Sequence, residues 1–476
     1  MIRTESDALG SMQLPADALY GIHTARAMEN FPLSGYRLPA MFIRAYAEVK
    51  LACVRVNAGL GHLPPAVAGA LEAACHEMIS GLHHGQIVVD AFQGGAGTST
   101  NMNVNEVLAN RAAQLLGHAP GSGAVHPLDH ANLHQSTNDT YPTALKVATL
   151  HGLKKLEQPI TQLQETLQRK EQDFDHVVRL ARTQLQDAVP ITAGMTFGAW
   201  AEAIARDRWR IFKCRERIRQ VNLGGTAVGT GLGAPRDFIF KAAEELRSIT
   251  GLGISRAENL VDATQNLDPF VEVSGMLKAC AVNLLKICTD ARLLASGPAA
   301  GIGEMVLPAV QAGSTIMPGK VNPVIPEAVS QAALRVMSND ALIGQAAAMG
   351  NLELNQFLPL VAHALLESLH LLHNAVIKLH ERCMRDARPD TERCAAHLAT
   401  GGTLAAVLVP ALGYERVEHF IQKAISTHTP LADIVAAGLN VPREAISELL
   451  TAKKMRQMGY TAETYAAVKG KTDADA

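Results

Sequence analysis

Aromatic residues supply only 4% of this chain, which excludes a core built on stacked rings and leaves packing to Leu, Ala, Val and Ile. Charge of either sign is also sparse: charged residues make up 18%, the formal net charge is -2, and no long basic or acidic block occurs. Nucleic acid and anionic membrane are therefore excluded as expected partners. The seven cysteines, at 53, 75, 214, 280, 288, 383 and 394, are odd in number and form no Cys-x-x-Cys. They read as small core residues of a reducing cytoplasm, not as a disulfide framework. The opening MIRTESDALGSMQLP has early charges and no apolar run, so it does not read as a secretion signal. The least polar stretch, HLATGGTLAAVLVPALGY (397–414), contains Gly401, Gly402 and Pro410 and is too short to span a bilayer. It reads as a buried helix and turn, and a soluble cytoplasmic protein is expected.

What is abundant is apolar helix. Apolar residues reach 48%, which suits helices covered on more than one side by a second layer or by neighbouring subunits. Leu153, Leu156, Ile160, Leu163 and Leu167 are spaced 3, 4, 3, 4, the seam of a helix packed against others. Pro159 inside that run is a candidate kink. Met276, Cys280, Leu284, Ile287, Ala291 and Leu294 form a similar stripe, and 196–221, 327–346 and 356–384 also run long. Turn signals cluster at 61–66, 93–101, 222–235 and 296–303. A chain of 476 residues exceeds one ordinary core. The expectation is an all-α protein of three domains: an N-terminal helical domain (1–142), a central long-helix bundle (143–395) and a small C-terminal helical domain (396–476).

Two motifs dissolve on inspection. VGTGLG (228–233) resembles a dinucleotide loop, but a helical region and no strand precedes it. His126, His130 and His134 are four apart, yet Pro127 marks a helix start and no carboxylate or cysteine completes a ligand set. Capping and packing are the expected roles, and no metal site is assigned.

Four polar clusters resist such dismissal: GTSTNMNVNE (97–106), HQSTND (134–139), RTQLQDAVP (182–190) and QAGSTIMPGKVNP (311–323). One alone would be helix capping. Four suggest a polar pocket assembled from several segments. Hydroxyls and amides bind carboxylate oxygens without added charge, and Lys320 neutralises one carboxylate, which is the chemistry of a small dicarboxylate site.

GSTIMPGKVNP resembles the signature loop of the aspartase/fumarase superfamily, roughly G-S-S-x-M-P-x-K-x-N-P, and the other clusters follow in that family's order from about Ala16 to beyond residue 390. Within it, YGIHTARAMENF (20–31), Gln184 after Thr183, and NLELNQFLPLVAHALLES (351–368) resemble the aspartase branch; fumarases usually carry Gln-Thr at His23-Thr24 and a histidine at Gln184. The resemblance implies a homotetramer with a twenty-helix core, each active site drawing on three subunits. It implies reversible deamination of L-aspartate to fumarate and ammonia, with Ser314 as the base. Thr98, Ser136, Thr137 and Thr315 would hold the β-carboxylate, Lys320 and Asn322 the α-carboxylate. Asn138, Gln184 and Thr98 would face the amino group beside Thr183, with Arg26 positioning a carboxylate. No cofactor is required, although a divalent cation such as Mg activates some members.

Four positions depart from the family pattern. Thr315 replaces a second serine, Ala299 an arginine, Gly233 an asparagine and Val409 an asparagine. They motivate the alternatives of a fumarase or a lyase for another substituted succinate. A non-catalytic structural homologue is the remaining reading, and an intact Ser314, Lys320 and Asn322 argue against it.

Overall fold

The computed structural model describes residues 1–400 and 403–469, and Gly401 and Gly402 of the 397–414 stretch lie outside the described residues. Among the described residues helix dominates, and the strands form four separate two-stranded pairs. The chain divides into two compact units, each assembled from three stretches: Met1–Gln158, Asp207–Val282 and Ala332–Asn374 in one, Pro159–Arg206, Asn283–Gln331 and Ala375–Ala476 in the other.

Five long helices supply the framework: Thr137–Asp173, Ala193–Ile218, Asp268–Leu294, Val324–Ala348 and Leu358–Leu379. The first runs without interruption through Pro159. Its leucine seam is fully buried, with Leu153, Leu156, Ile160, Leu163 and Leu167 all at 0% exposure. On Asp268–Leu294 the buried face holds Val273, Leu277, Cys280, Leu284, Ile287 and Ala291, while Met276 and Leu294 are half-buried at its margin. The run Leu358–Met384 is long and apolar enough to cross a bilayer, yet 56% of its most apolar window is buried inside the protein. All seven cysteines are free and buried.

The first unit begins with a hairpin, Ile2–Asp7 paired antiparallel with Gly10–Pro15, and continues through helices including Ile22–Asn30, Ala40–Gly59 and Thr98–Leu115. The second contains the hairpin Val178–Thr183 with Gln186–Thr192. Alternation there is weak and the tip lacks glycine, so the sequence gives no clear sign of it. Its C-terminal helices share a core of their own in which Leu408, Val417, Phe420, Val435, Leu439 and Ile446 are buried.

Candidate active site

In the first unit, HQSTND begins the longest helix. Ser136 stands just before Thr137–Asp173 and its Oγ accepts from the Asn138 N–H at 3.2 Å; the Asp139 carboxylate accepts from the Ser136 N–H at 3.1 Å. The reach-back from Asp139 is half of a capping box, with the Ser136 hydroxyl on the second helical N–H, and its S-x-x-D pattern is readable in the sequence. Asp139 Oδ2 also accepts from the N–H groups of Gly224 at 3.2 Å and Thr226 at 3.0 Å. Asn138 Nδ2 donates to the Ala227 carbonyl at 2.7 Å, and Asn222 Nδ2 returns a bond to the Asn138 carbonyl at 2.9 Å. The glycine-rich turn at 222–235 thus braces the helix start. Gly229 is required there, because a Cβ would stand 2.4 Å from Val261 backbone. Thr137 is buried, while Ser136 and Asn138 are half-exposed.

Beneath them lies a buried polar network. Lys50, fully buried, donates to Asn132 Oδ1 at 3.1 Å and Gln135 Oε1 at 2.8 Å. Asn132 also accepts from Asn101 at 3.0 Å and Asn105 at 3.1 Å. Tyr46 Oη meets Asn101 at 3.2 Å and Thr140 at 3.1 Å. Burial pushes the Lys50 ammonium down to about 8 and the Asp139 carboxyl up to about 7, in the second case against its three backbone donors and the Lys50 charge. The three spaced histidines take small structural parts: His126 Nδ1 accepts from the Asp129 N–H at 3.1 Å, the His126 N–H donates to His130 Nδ1 at 2.9 Å, and His134 Nδ1 meets Asn57 at 2.7 Å.

Thr98 opens the helix Thr98–Leu115 and is exposed, its hydroxyl donating to the Gly95 carbonyl at 2.8 Å. Gly97 precedes it at φ +95°, where a Cβ would collide with the Tyr141 ring. Hydroxyls at two helix starts suit an anion, since free N–H groups and the helix dipole favour negative charge there. In YGIHT, Glu106 accepts from the N–H groups of Gly21 at 2.8 Å, His23 at 2.9 Å and Thr24 at 3.2 Å, and from the Thr24 hydroxyl at 2.6 Å. Arg26 grips Asp7 through two bonds at 2.8 and 2.7 Å, and this hydrogen bonding holds the Asp7 carboxyl down at about 2. Its guanidinium therefore ties the N-terminal hairpin to the helix Ile22–Asn30.

The second unit carries the other candidates on two protrusions. Thr183, Gln184, Leu185 and Gln186 form the exposed tip of the 178–192 hairpin, with Gln184 at φ 54° and Leu185 at φ 63°. Two consecutive left-handed residues make the tight turn that matches strand twist, at a cost when neither is glycine. The hairpin is anchored by buried Glu304, which accepts from Arg182 at 2.9 and 3.0 Å and contacts His397 Nδ1 at 2.7 Å.

The loop 311–323 is closed at its neck. The Gly313 N–H donates to the Lys320 carbonyl at 2.7 Å, and Asn322 Nδ2 donates to the Gly313 carbonyl at 2.6 Å. A Cβ on Gly313 would lie 2.6 Å from the Lys320 oxygen, so this close approach requires glycine. Ser314 Oγ accepts from the N–H groups of Ile316 at 3.2 Å and Met317 at 2.9 Å. Thr315 and Lys320 are exposed, and Lys320 has no ion pair among the described residues.

Ser136, Thr137 and Asn138 therefore share one helix start, with Thr98 at another in the same unit. Ser314, Thr315, Lys320 and Asn322 share one closed loop, with Thr183 and Gln184 on the hairpin tip of that unit. Sequence reasoning missed Asp139, Lys50, Asn132 and Glu304. Only Asp139 had a local signal, the S-x-x-D pattern.

These features describe a helical enzyme whose polar groups gather at helix starts and in one glycine-closed loop. A family model described as a lyase matches residues 10–338, and the chain belongs to that family, within the aspartase/fumarase superfamily. The aspartate ammonia-lyase of Bacillus subtilis (strain 168) is 40% identical over 459 residues, covering 96% of this chain and 96% of that protein. A solved fumarate lyase:delta crystallin from Brucella melitensis is 42% identical with a TM-score of 0.91, over 97% of this chain and 100% of that one. A class II fumarase from Schistosoma mansoni is 31% identical with a TM-score of 0.90, again over 97% and 100%.

Proposed function

We propose that this lyase is an aspartate ammonia-lyase, converting L-aspartate reversibly to fumarate and ammonia. The observation that carries the mechanism is the pair of backbone N–H groups received by Ser314 Oγ. A serine hydroxyl is a poor base, and donors fixed on its oxygen lower the cost of the alkoxide. The alkoxide takes a proton from Cβ of the substrate, and the electron pair passes into the β-carboxylate as an enediolate. Collapse of the enediolate forms the double bond and expels ammonia from Cα.

Thr98, Ser136, Thr137 and Thr315 hold the β-carboxylate oxygens, at helix starts that bind tighter as charge develops. Lys320 and Asn322 grip the α-carboxylate. Asn138, Gln184 and Thr98 face the amino group, with Thr183 beside Gln184 on the hairpin tip. Arg26 positions a carboxylate at one remove, through the helix it fastens to Asp7.

The active assembly is a cytoplasmic homotetramer with a twenty-helix core and sites shared among three subunits. Trp209, Val282 and Leu334 support this, since they leave large apolar surfaces exposed on three of the long helices at 62%, 44% and 52%. The chemistry needs no redox cofactor, and activation by a divalent cation such as Mg is read by comparing rates with added Mg²⁺ and with chelator. A fumarase is the second reading, favoured by the likeness to the class II fumarase. Incubating the protein with fumarate and ammonium and following products by proton NMR separates the two. L-aspartate is the expected product; L-malate in its place would make the chain a fumarase.

A further inference from the structure

A cavity of about 510 Å³ lies in the first unit, and none of the candidate residues above lines it. It falls within the range of pockets that take small molecules. Tyr36, Met41, Leu366 and Leu369 give it an apolar wall. Its polar side comes mainly from one helix, Leu358–Leu379, which places His363, Glu367 and His370 four and three residues apart on one face, with His373 a turn further. Lys155 faces them from Thr137–Asp173, and Arg37 from the segment before Ala40–Gly59.

The charges in this cavity do not cancel. Glu367 is already engaged, accepting from Arg335 at 2.9 Å and Asn339 at 2.7 Å. Arg37 donates to the Val88 carbonyl, and neither Arg37 nor Lys155 has an ion pair among the described residues. The His363 ring stacks on Tyr36 with centroids 4.8 Å apart, and its Nε2 is buried without a hydrogen-bond partner. Buried polar atoms of that kind are rare and call for an explanation. A flat apolar wall, two unmatched cations and a row of imidazoles are together suited to one class of ligand.

We propose that this cavity is a second ligand site, which takes a small organic anion: a carboxylate carried on a flat apolar body. The apolar body packs on Tyr36 and Leu369 while the carboxylate meets Lys155 and Arg37. Burial holds the His363 imidazole below its ordinary value, so at neutral pH the ring is uncharged and offers one N–H. L-aspartate and fumarate lack the apolar body and are poor ligands for it.

The test is calorimetric titration of the full chain with 1-naphthoate, in the presence of saturating fumarate. One saturable site per chain is expected, with the neutral isostere 1-naphthamide bound at least about tenfold more weakly. Lys155→Gln and Arg37→Gln, both surface changes, are each expected to weaken naphthoate at least about fivefold, while Lys378→Gln, at the far end of the helix Leu358–Leu379, leaves it unchanged. Absence of saturable binding overturns the proposal, as a partner copy covering the cavity would cause. Equal binding of acid and amide, or naphthoate binding indifferent to both Lys155→Gln and Arg37→Gln, also overturns it.

Discussion

The turn presenting Ser136 to Asn138 and the loop presenting Ser314 to Asn322 carry similar side chains and are held in opposite ways. The turn rests on buried Asp139 and Lys50 and on half-buried Asn132, each with two or more hydrogen bonds, and on a glycine turn pressed against it. The loop is closed by two bonds at its neck and leaves Ile316 84% exposed. Fixed donors stabilise developing charge best because they need no reorganisation. A segment that brings a base to the substrate and then releases product is better served by few ties. Under the proposed mechanism the two holdings suit charge stabilisation at the turn and proton removal from the loop.

Five variants or conditions sharpen or break that comparison. The largest effect is expected from Ser314→Ala, which removes the proposed base and should lower kcat by about 10²–10⁴-fold with unchanged circular dichroism. Next is Lys320→Met, which deletes the proposed carboxylate grip, worth about 1.5–3 kcal/mol, and should lower kcat/KM by about 10–150-fold in steady-state assays. In the turn, Asp139→Ala strands three N–H groups, two of them buried, and costs about 1–3 kcal/mol of stability, read as a lower thermal midpoint. Gly313→Ala is the contrasting change in the loop. It is expected to lower kcat by roughly tenfold through a forced neck opening while the thermal midpoint stays put. If Gly313→Ala unfolds the protein and Asp139→Ala does not, the comparison is reversed.

The smallest effect concerns pH. Burial raises the Asp139 carboxyl from 3.8 to about 7. A raised carboxyl contributes its stability in full below about pH 4 and loses it as pH rises through 7, because the fold then holds a proton more tightly than the unfolded chain. Asp139→Asn should flatten that decline, measured as denaturation midpoints from pH 4 to 8.

Much of this was legible in the sequence, for local reasons. The leucine seam of Thr137–Asp173 obeys helical spacing, and its members are buried as that spacing requires. The loop 311–323 announced itself through glycine and proline set among Ser, Thr, Lys and Asn. The hairpin at 178–192 did not, because its turn is Gln184-Leu185 where Asn-Gly would be the readable signal. Lys50 was equally hidden: its partners Asn132 and Gln135 lie 82 and 85 residues away, and no local pattern points to a lysine inside a core. In the sequence Ser136 reads both as a cap and as a substrate contact. The structure shows the cap, and the two roles are compatible because a capping hydroxyl stands where an anion binds best.

The central claim is the substrate, and one assay on the wild-type protein addresses it most directly. L-aspartate and L-malate are supplied separately, and fumarate is followed by its ultraviolet absorbance. The account predicts fumarate from L-aspartate, with ammonia released in equal amount, and none from L-malate. Fumarate from L-malate alone, or from neither, would contradict it.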